Sequence, residues 1–230
     1  MRGSDQHLIR GFPLFRGVPD GTFDSVTIRA RIVDLPSSST FLREGEKPEF
    51  LYVLLNGLVE TFTEKAGALT TLAFVRPPTA FIVAAVWLDQ VQLTSARTIA
   101  PSRILFVPAA DVRAAMTQDP TFCQALGSEL AARYRDVMKE LKNQRTRSAA
   151  ERLANWLLTE AQAEGSAEFE MPVSRGVLAS RLGVTAEHLS RTFVALRDHG
   201  VLSDGRVIRL DLPRLTKFAR PSVTFDQNDL

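Results

Sequence analysis

VSRGVLASRLGVTAEHLSRTFVALRDHGVLSDGRVIR, residues 173–209, reads as a helix, a sharp turn, a second helix and a short hairpin. Val177, Leu178, Ala179 and Leu182 give the first helix one apolar face. Gly183 supplies the backbone freedom of a tight turn, Val184 packs back toward the core, and Thr185 can cap the next helix. Leu189, Phe193 and Leu196 form the buried side of that second helix. Glu187, Ser190 and Arg191, at i, i+3 and i+4, share its opposite face within the first two turns. A helix that reads the DNA major groove needs this arrangement, because its N-terminal residues meet base edges. Arg pairs bidentately with guanine, and Glu accepts from cytosine N4. Asp204-Gly205, between Leu202 and Val207, predicts a two-residue hairpin and hence a wing. Thr185, Arg175, His188 and Arg206 lie in the same stretch and are further candidate DNA contacts.

A Glu and an Arg at this spacing are in many helices only a solvated ion pair. The charge balance of the stretch argues for more. Its basic residues are all arginine (175, 181, 191, 197, 206 and 209), against Glu187, Asp198 and Asp204. Arginine is the better donor to phosphate and guanine.

The whole chain sets the frame. Its 230 residues are 45% apolar and 23% charged, an ordinary globular composition with room for one large or two smaller domains. No apolar run is long enough to span a membrane, and MRGSDQHLIRGF lacks the apolar core of a signal peptide, so a cytoplasmic protein with no membrane partner is expected. Cys123 is the single cysteine, which leaves no intrachain disulfide and no cysteine-ligated zinc or iron–sulfur site. The net charge of +2 means that affinity for nucleic acid must come from local clustering.

Residues 1–110 are strand-like. Arg29–Asp34, Phe50–Leu55, Leu58–Thr63, Leu69–Val75, Ala96–Ala100 and Arg103–Val107 are short segments separated by turn signals. Asn56-Gly57 is the strongest hairpin signal among them. Strands at this spacing predict a small sandwich or barrel, and Leu8–Phe15 and Asp20–Ile28 read as short helices leading in. From Asp111 the period becomes helical. Pro120 can open a helix behind Asp119 as its cap. Cys123, Leu126, Leu130, Tyr134, Val137, Leu141 and Gln144 then recur at three- and four-residue steps. A seam with this period pairs with another helix, and about 25 helical residues span roughly 38 Å. The seam is therefore expected to be a dimerisation surface built on Leu126, Leu130, Tyr134, Val137 and Leu141. Lys142–Arg147 (KNQRTR) reads as a hinge whose basic residues could also touch phosphates. Ser148–Glu164 is another amphipathic helix.

A β-rich first half, a long paired helix and a winged helix-turn-helix, in this order, resemble the CRP/FNR superfamily of bacterial transcription regulators. FLREGEKPEFLYVLLNGLVETF, residues 41–62, resembles the family's barrel motif, and Val184–Arg191 its recognition helix. The resemblance implies an α+β fold: a cyclic-nucleotide-binding-like jelly-roll barrel over 1–118, a dimerisation helix and hinge over 119–146, a winged helix-turn-helix over 147–220, and a flexible tail over 221–230. It implies a homodimer that binds double-stranded DNA, with RNA polymerase as a further partner and a small molecule or gas as effector. Members with Glu-x-x-Ser-Arg, as in the FNR and DNR branches, read TTGAT-type half-sites. Glu187, Ser190 and Arg191 follow that pattern, and Ala186 stands where the cyclic-AMP branch has Arg. A palindrome near TTGAT-N4-ATCAA is expected.

The sensor half departs from the cyclic-nucleotide pattern. The resemblance places Ala84 where the family's ribose-binding Glu stands and Thr94 where its phosphate-binding Arg stands. A buried phosphate without a cation is costly, so no cyclic-AMP binding is expected. Phe74, Phe81, Val83, Ala84, Trp87 and Thr94 define an apolar region, which is either core or a pocket for another ligand. Haem, used by DNR-like members, is a possible cofactor, with His7, Cys123 or a methionine as the available axial ligands.

An enzyme on a metal-binding barrel is disfavoured, since no histidine falls between residues 8 and 187 and no phosphate loop, Gly-x-Ser-x-Gly or dinucleotide fingerprint is present. A regulatory subunit that binds only protein would leave Glu187, Ser190, Arg191 and the wing unexplained.

Overall fold

A computed structural model describes residues 3–222 and 224–226. The chain forms two compact units, Met1–Arg133 and Tyr134–Leu230, which divide within one long helix.

The first unit opens with α1 (Gly3–Arg10), a 3-10 turn at Pro13–Phe15 and α2 (Asp20–Thr27). The barrel strands follow: β1 (Arg31–Leu35), β2 (Thr40–Leu42), β3 (Phe50–Asn56), β4 (Val59–Lys65), β5 (Ala68–Val75), β6 (Thr79–Phe81), β7 (Ser95–Thr98) and β8 (Ser102–Pro108), with α3 (Val83–Leu88) between β6 and β7. They make two four-stranded sheets, ordered β1-β8-β3-β6 and β2-β7-β4-β5, with every recorded pairing antiparallel. Leu54, Ile104 and Phe81 from one sheet pack on Leu42, Val59 and Ala96 from the other.

Strand β3 shows why the sequence folds this way. FLYVLL carries no polar alternation, and all but its first residue are buried. Tyr52 and Leu54 face the opposing sheet. Leu51, Val53 and Leu55 face the helical layer of α1, α2, α4 (Ala109–Gln118) and the first turns of α5 (Pro120–Thr146). A strand covered on both faces reads as a continuous apolar run. The three-residue strands β2 and β6 have too few residues to show a period and were not expected from the sequence.

Asn56-Gly57 is not a hairpin. Strand β3 pairs with β6 and β8, whereas β4 pairs with β5 and β7, so the turn carries the chain from one sheet to the other. Gly57 is needed there because its φ is +105° and a Cβ would stand 2.7 Å from Ser102 Cα. The tight hairpin is β4–β5, where Lys65 pairs with Ala68 across Ala66 and Gly67, both at positive φ.

Helix α5 runs from Pro120 to Thr146. Asp119 caps it as expected, accepting from the N–H groups of Thr121 at 2.8 Å and Phe122 at 3.4 Å. The Thr22 hydroxyl also donates to Asp119, at 2.6 Å, and with the two N–H groups holds its carboxyl below the ordinary value. The expected hinge narrows. The helix continues through Lys142–Thr146 and breaks only at Arg147-Ser148, where Ser148 and Glu151 form a capping box that starts α6 (Ala149–Glu164). The helix-turn-helix follows as α7 (Arg175–Arg181) and α8 (Ala186–Ala195). A three-stranded sheet ordered β10-β11-β9 (β9 Glu168–Glu170, β10 Val201–Asp204, β11 Val207–Leu210) and α9 (Leu212–Ala219) complete the second unit. Of the expected flexible tail, 223 and 227–230 lie outside the described residues. Ser222 and 224–226 are bonded to one another and to the end of α5.

Candidate nucleic-acid interface

The turn between α7 and α8 is built from backbone bonds the sequence makes possible. Ser174 caps α7, its Oγ accepting from Val177 N–H. Gly183 adopts φ +67°, and Val184 N–H closes the turn onto the Ala179 carbonyl at 3.0 Å. Thr185 caps α8 through a 3.1 Å bond from His188 N–H. Leu189, Thr192 and Phe193 are the buried side of α8. Glu187, His188, Ser190 and Arg191 all point to solvent. Among the described residues no ion pair joins Glu187 to Arg191, so the solvated-pair alternative is not what the side chains do. Their donors and acceptors are left to an outside partner.

The other candidates divide. Arg175 is already engaged: Nη2 donates to Ser203 Oγ on the wing at 2.6 Å, and the guanidinium carbon lies 4.2 Å from the Phe193 ring centroid. It braces the wing against α8 while facing a groove of about 200 Å³ lined by Arg175, Ser190, Phe193, Val194, Arg197 and Ser203. Arg206 donates one Nη to the Met171 carbonyl at 2.7 Å, which ties the wing turn to the strand before α7. The wing turn is shifted by one residue from the expected one. Asp204 pairs with Val207, so Gly205-Arg206 is the two-residue loop, with Gly205 at φ +57°. Arg197 was not singled out from the sequence. Its signal was the stripe Ser190, Val194, Arg197 at i, i+4 and i+7, which continues the reading face past Arg191.

Three basic residues around the helix break are engaged within the chain, while Arg145 is exposed. Arg147 is paired with Asp226, Arg152 donates to the carbonyls of Arg147 and Leu182, and Lys142 sits 4.3 Å from the Phe225 ring centroid.

The dimerisation seam splits in two. Leu126 is only 1% exposed and belongs to the helix-side core of the barrel, with Leu130 packed partly against it, so these two are satisfied within the protomer. Tyr134 and Val137 are each 65% exposed, and Met138 and Leu141 are exposed as well. Among the described residues, this second half is an exposed apolar stripe.

The expected apolar pocket does not assemble. Phe81 lies in the core between the sheets, whereas Val83 and Trp87 pack in the helical layer. Ala84 is exposed, and Phe74 and Thr94 are half-buried. Core packing accounts for the apolar character of this segment. A cleft in the barrel, about 630 Å³, is polar, lined by residues that include Arg43, Glu44, Glu46, Glu64, Ser95 and Arg97. Arg97 Nε donates to Glu60 at 2.7 Å, and Glu60, only 2% exposed, also accepts from the Thr71 hydroxyl at 2.5 Å. Haem does not fit these residues: His7 is exposed on α1, Cys123 lies half-buried on α5, neither lines this cleft, and the cleft is charged where a porphyrin needs apolar walls. Ile82, just before α3, holds a left-handed backbone at φ +56°, a strained conformation for a β-branched residue.

Comparison with known proteins agrees with this architecture. Residues 151–218 match the family model of the Crp-like helix-turn-helix domain, and residues 32–119 that of the cyclic nucleotide-binding domain. No curated protein matches the chain by sequence. Among solved structures, one from Eubacterium rectale assigned to the CRP/FNR family of transcriptional regulators is 18% identical, covers 91% of this chain and 99% of its own, and superposes with a TM-score of 0.78. FixK2 from Bradyrhizobium japonicum is 21% identical over 84% of this chain and 99% of its own, with a TM-score of 0.73. DNR from Pseudomonas aeruginosa is 23% identical over 95% and 99%, with a TM-score of 0.51.

Proposed function

We propose, from the Crp-like helix-turn-helix and cyclic nucleotide-binding domains that its sequence matches, that this chain is a DNA-binding transcription regulator of the CRP/FNR type, acting as a homodimer that reads a palindrome near TTGAT-N4-ATCAA and does not respond to cyclic AMP. The observation that carries the reading is the set of unengaged, solvent-facing side chains of Glu187, Ser190 and Arg191 at the start of α8. In a major groove, Arg191 donates two bonds to guanine O6 and N7, Glu187 accepts from cytosine N4, and Ser190 serves either a base edge or a phosphate. Arg175, Arg197 and His188 flank them as phosphate partners. Two copies joined along Tyr134, Val137, Met138 and Leu141 would present two such helices, and half-sites one turn of DNA apart require about 34 Å between them.

Absence of a cyclic-AMP response is supported by Ala84 and Thr94 at the positions where the family's binders carry Glu and Arg. Ala84 offers no hydrogen-bonding side-chain group, and Thr94 carries no charge to set against a phosphate. An effector acting through the barrel would shift the population of two dimer states that differ at the helix break, and RNA polymerase is the partner of the DNA-bound form.

Selection from a randomised duplex pool tests the DNA reading: enrichment of TTGAT half-sites in inverted repeat is expected, and an unrelated motif would overturn it. Calorimetry with cyclic AMP tests the sensor reading, and tight binding would refute it.

A further inference from the structure

Arg147 is the residue at which α5 and α6 part, and it is held from three sides. Its N–H still donates to the Asn143 carbonyl of α5 at 3.2 Å. Its own carbonyl accepts from Arg152 Nη1 of α6 at 2.6 Å. Its guanidinium meets the carboxylate of Asp226 in a two-bond pair, Nη1 to Oδ1 and Nη2 to Oδ2, both at 2.7 Å. The Arg147 side chain is 9% exposed and that of Asp226 19%, so this is not a solvated surface pair.

The segment that supplies Asp226 is shaped for the contact. Helix α9 is anchored to α6 where Asn155 Nδ2 donates to the Ala219 carbonyl at 3.0 Å. Arg220, at φ +46°, turns the chain there. Ser222 N–H donates to Asp226 Oδ2 at 2.6 Å, and the N–H groups of Phe225 and Asp226 return to the Ser222 carbonyl at 2.9 and 2.8 Å. Phe225 then lies beneath two cations, 4.3 Å from Lys142 Nζ and 4.5 Å from the Arg147 guanidinium carbon. Lys142 Nζ also reaches the Thr224 carbonyl at 3.5 Å.

We propose that Ser222 and residues 224–226 are a clasp on the helix break, an intramolecular strap that fixes the angle at which the end of α5 meets the winged domain. Without it the break is one residue between two helices, with a guanidinium that has lost its counter-charge in a nearly dry site. The side chain would swing to solvent and the break would loosen. The consequence for DNA rests on the proposed dimeric reading. A dimer engaging two half-sites must hold both breaks at the right angle at once, whereas one winged domain on one half-site needs neither.

The test uses the full chain carrying Asp226→Asn or Phe225→Ala, and a chain ending at Pro221. Asp226→Glu serves as the conservative variant that keeps the wild-type behaviour. Tryptic cleavage at Arg145 and Arg147 is expected to quicken by about fivefold or more as the break opens locally. Affinity for a TTGAT-N4-ATCAA duplex should fall by about fivefold, while affinity for a duplex with one TTGAT site stays unchanged. Unchanged cleavage and unchanged palindrome binding would overturn the clasp. Equal losses on both duplexes would also overturn it, since the segment would then be supporting the winged fold or touching DNA. If the wild-type chain binds neither duplex, it is the DNA reading that has failed, and the cleavage rates alone carry or sink the clasp.

Discussion

Glu140 on α5 and Arg181 at the end of α7 meet end to end, each guanidinium Nη donating to one carboxylate oxygen at 2.6 Å. Gln144 adds a bond to the same carboxylate at 2.7 Å. Burial pushes the Glu140 carboxyl up, but the bonds and charge of Arg181 outweigh it and hold the group below its ordinary value. A carboxyl lowered in the folded state stabilises it above the unfolded value and loses that contribution as pH falls through the folded one. Glu140→Gln should therefore flatten the loss of stability below about pH 5, and Glu140→Ala should cost about 1–3 kcal/mol at neutral pH. Denaturant titrations across pH measure both.

The reading face makes a selective prediction. Arg191→Ala should weaken binding to the preferred duplex by about 1–3 kcal/mol and relax the guanine preference at one position. Arg197→Ala should weaken all duplexes alike and lower the salt slope by about one. Gel shifts at several salt concentrations separate the two, and identical behaviour would mean that α8 is docked differently.

The split seam separates association from folding. Val137→Asp should convert a dimer to monomers in sedimentation while leaving the melting temperature of the monomer unit nearly unchanged. Leu126→Ala should instead destabilise the barrel by about 2–5 kcal/mol through the cavity it leaves, with the dimer interface intact at low temperature.

Gly57→Ala should be costly despite its surface-like sequence context. Its positive φ and the approach of Ser102 both act against a Cβ, and a loss on the order of 2–4 kcal/mol in chemical denaturation is expected. Gly67→Ala, with nothing near its Cβ, should show only the strain of its backbone.

Much of this was legible in the sequence for reasons of period and capping. The helix-turn-helix, the start of α5 behind Asp119 and the amphipathic helix from Ser148 depend on neighbouring residues alone, and local spacing encodes them. What local spacing does not encode was read differently. Asn56-Gly57 has the chemistry of a hairpin, but β3 and β4 belong to different sheets, β3 pairing with the distant β6 and β8 and β4 with β5 and β7. The seam from Leu126 to Leu141 has one period but two environments, because only its first half lies over the barrel. Phe81 and Val83 look like one apolar patch, yet they pack in two different cores on either side of Ile82. The wing slipped by one residue because Asp204 closes the β10–β11 ladder, a choice that neighbouring residues alone do not settle.

Glu60 and Arg97 stand directly opposite each other on β4 and β7, and that pairing bears on how the sheet avoids errors. A strand that slid by one residue would carry Glu60 to the other face and leave its carboxylate without a guanidinium. Removing one partner of a buried ion pair costs about 3–5 kcal/mol, a large fraction of what holds a domain of this size together. The pair adds little over an apolar pair in the correct alignment, but it penalises the neighbouring ones, so that a barrel of short strands, some of only three residues, has one arrangement well below the rest.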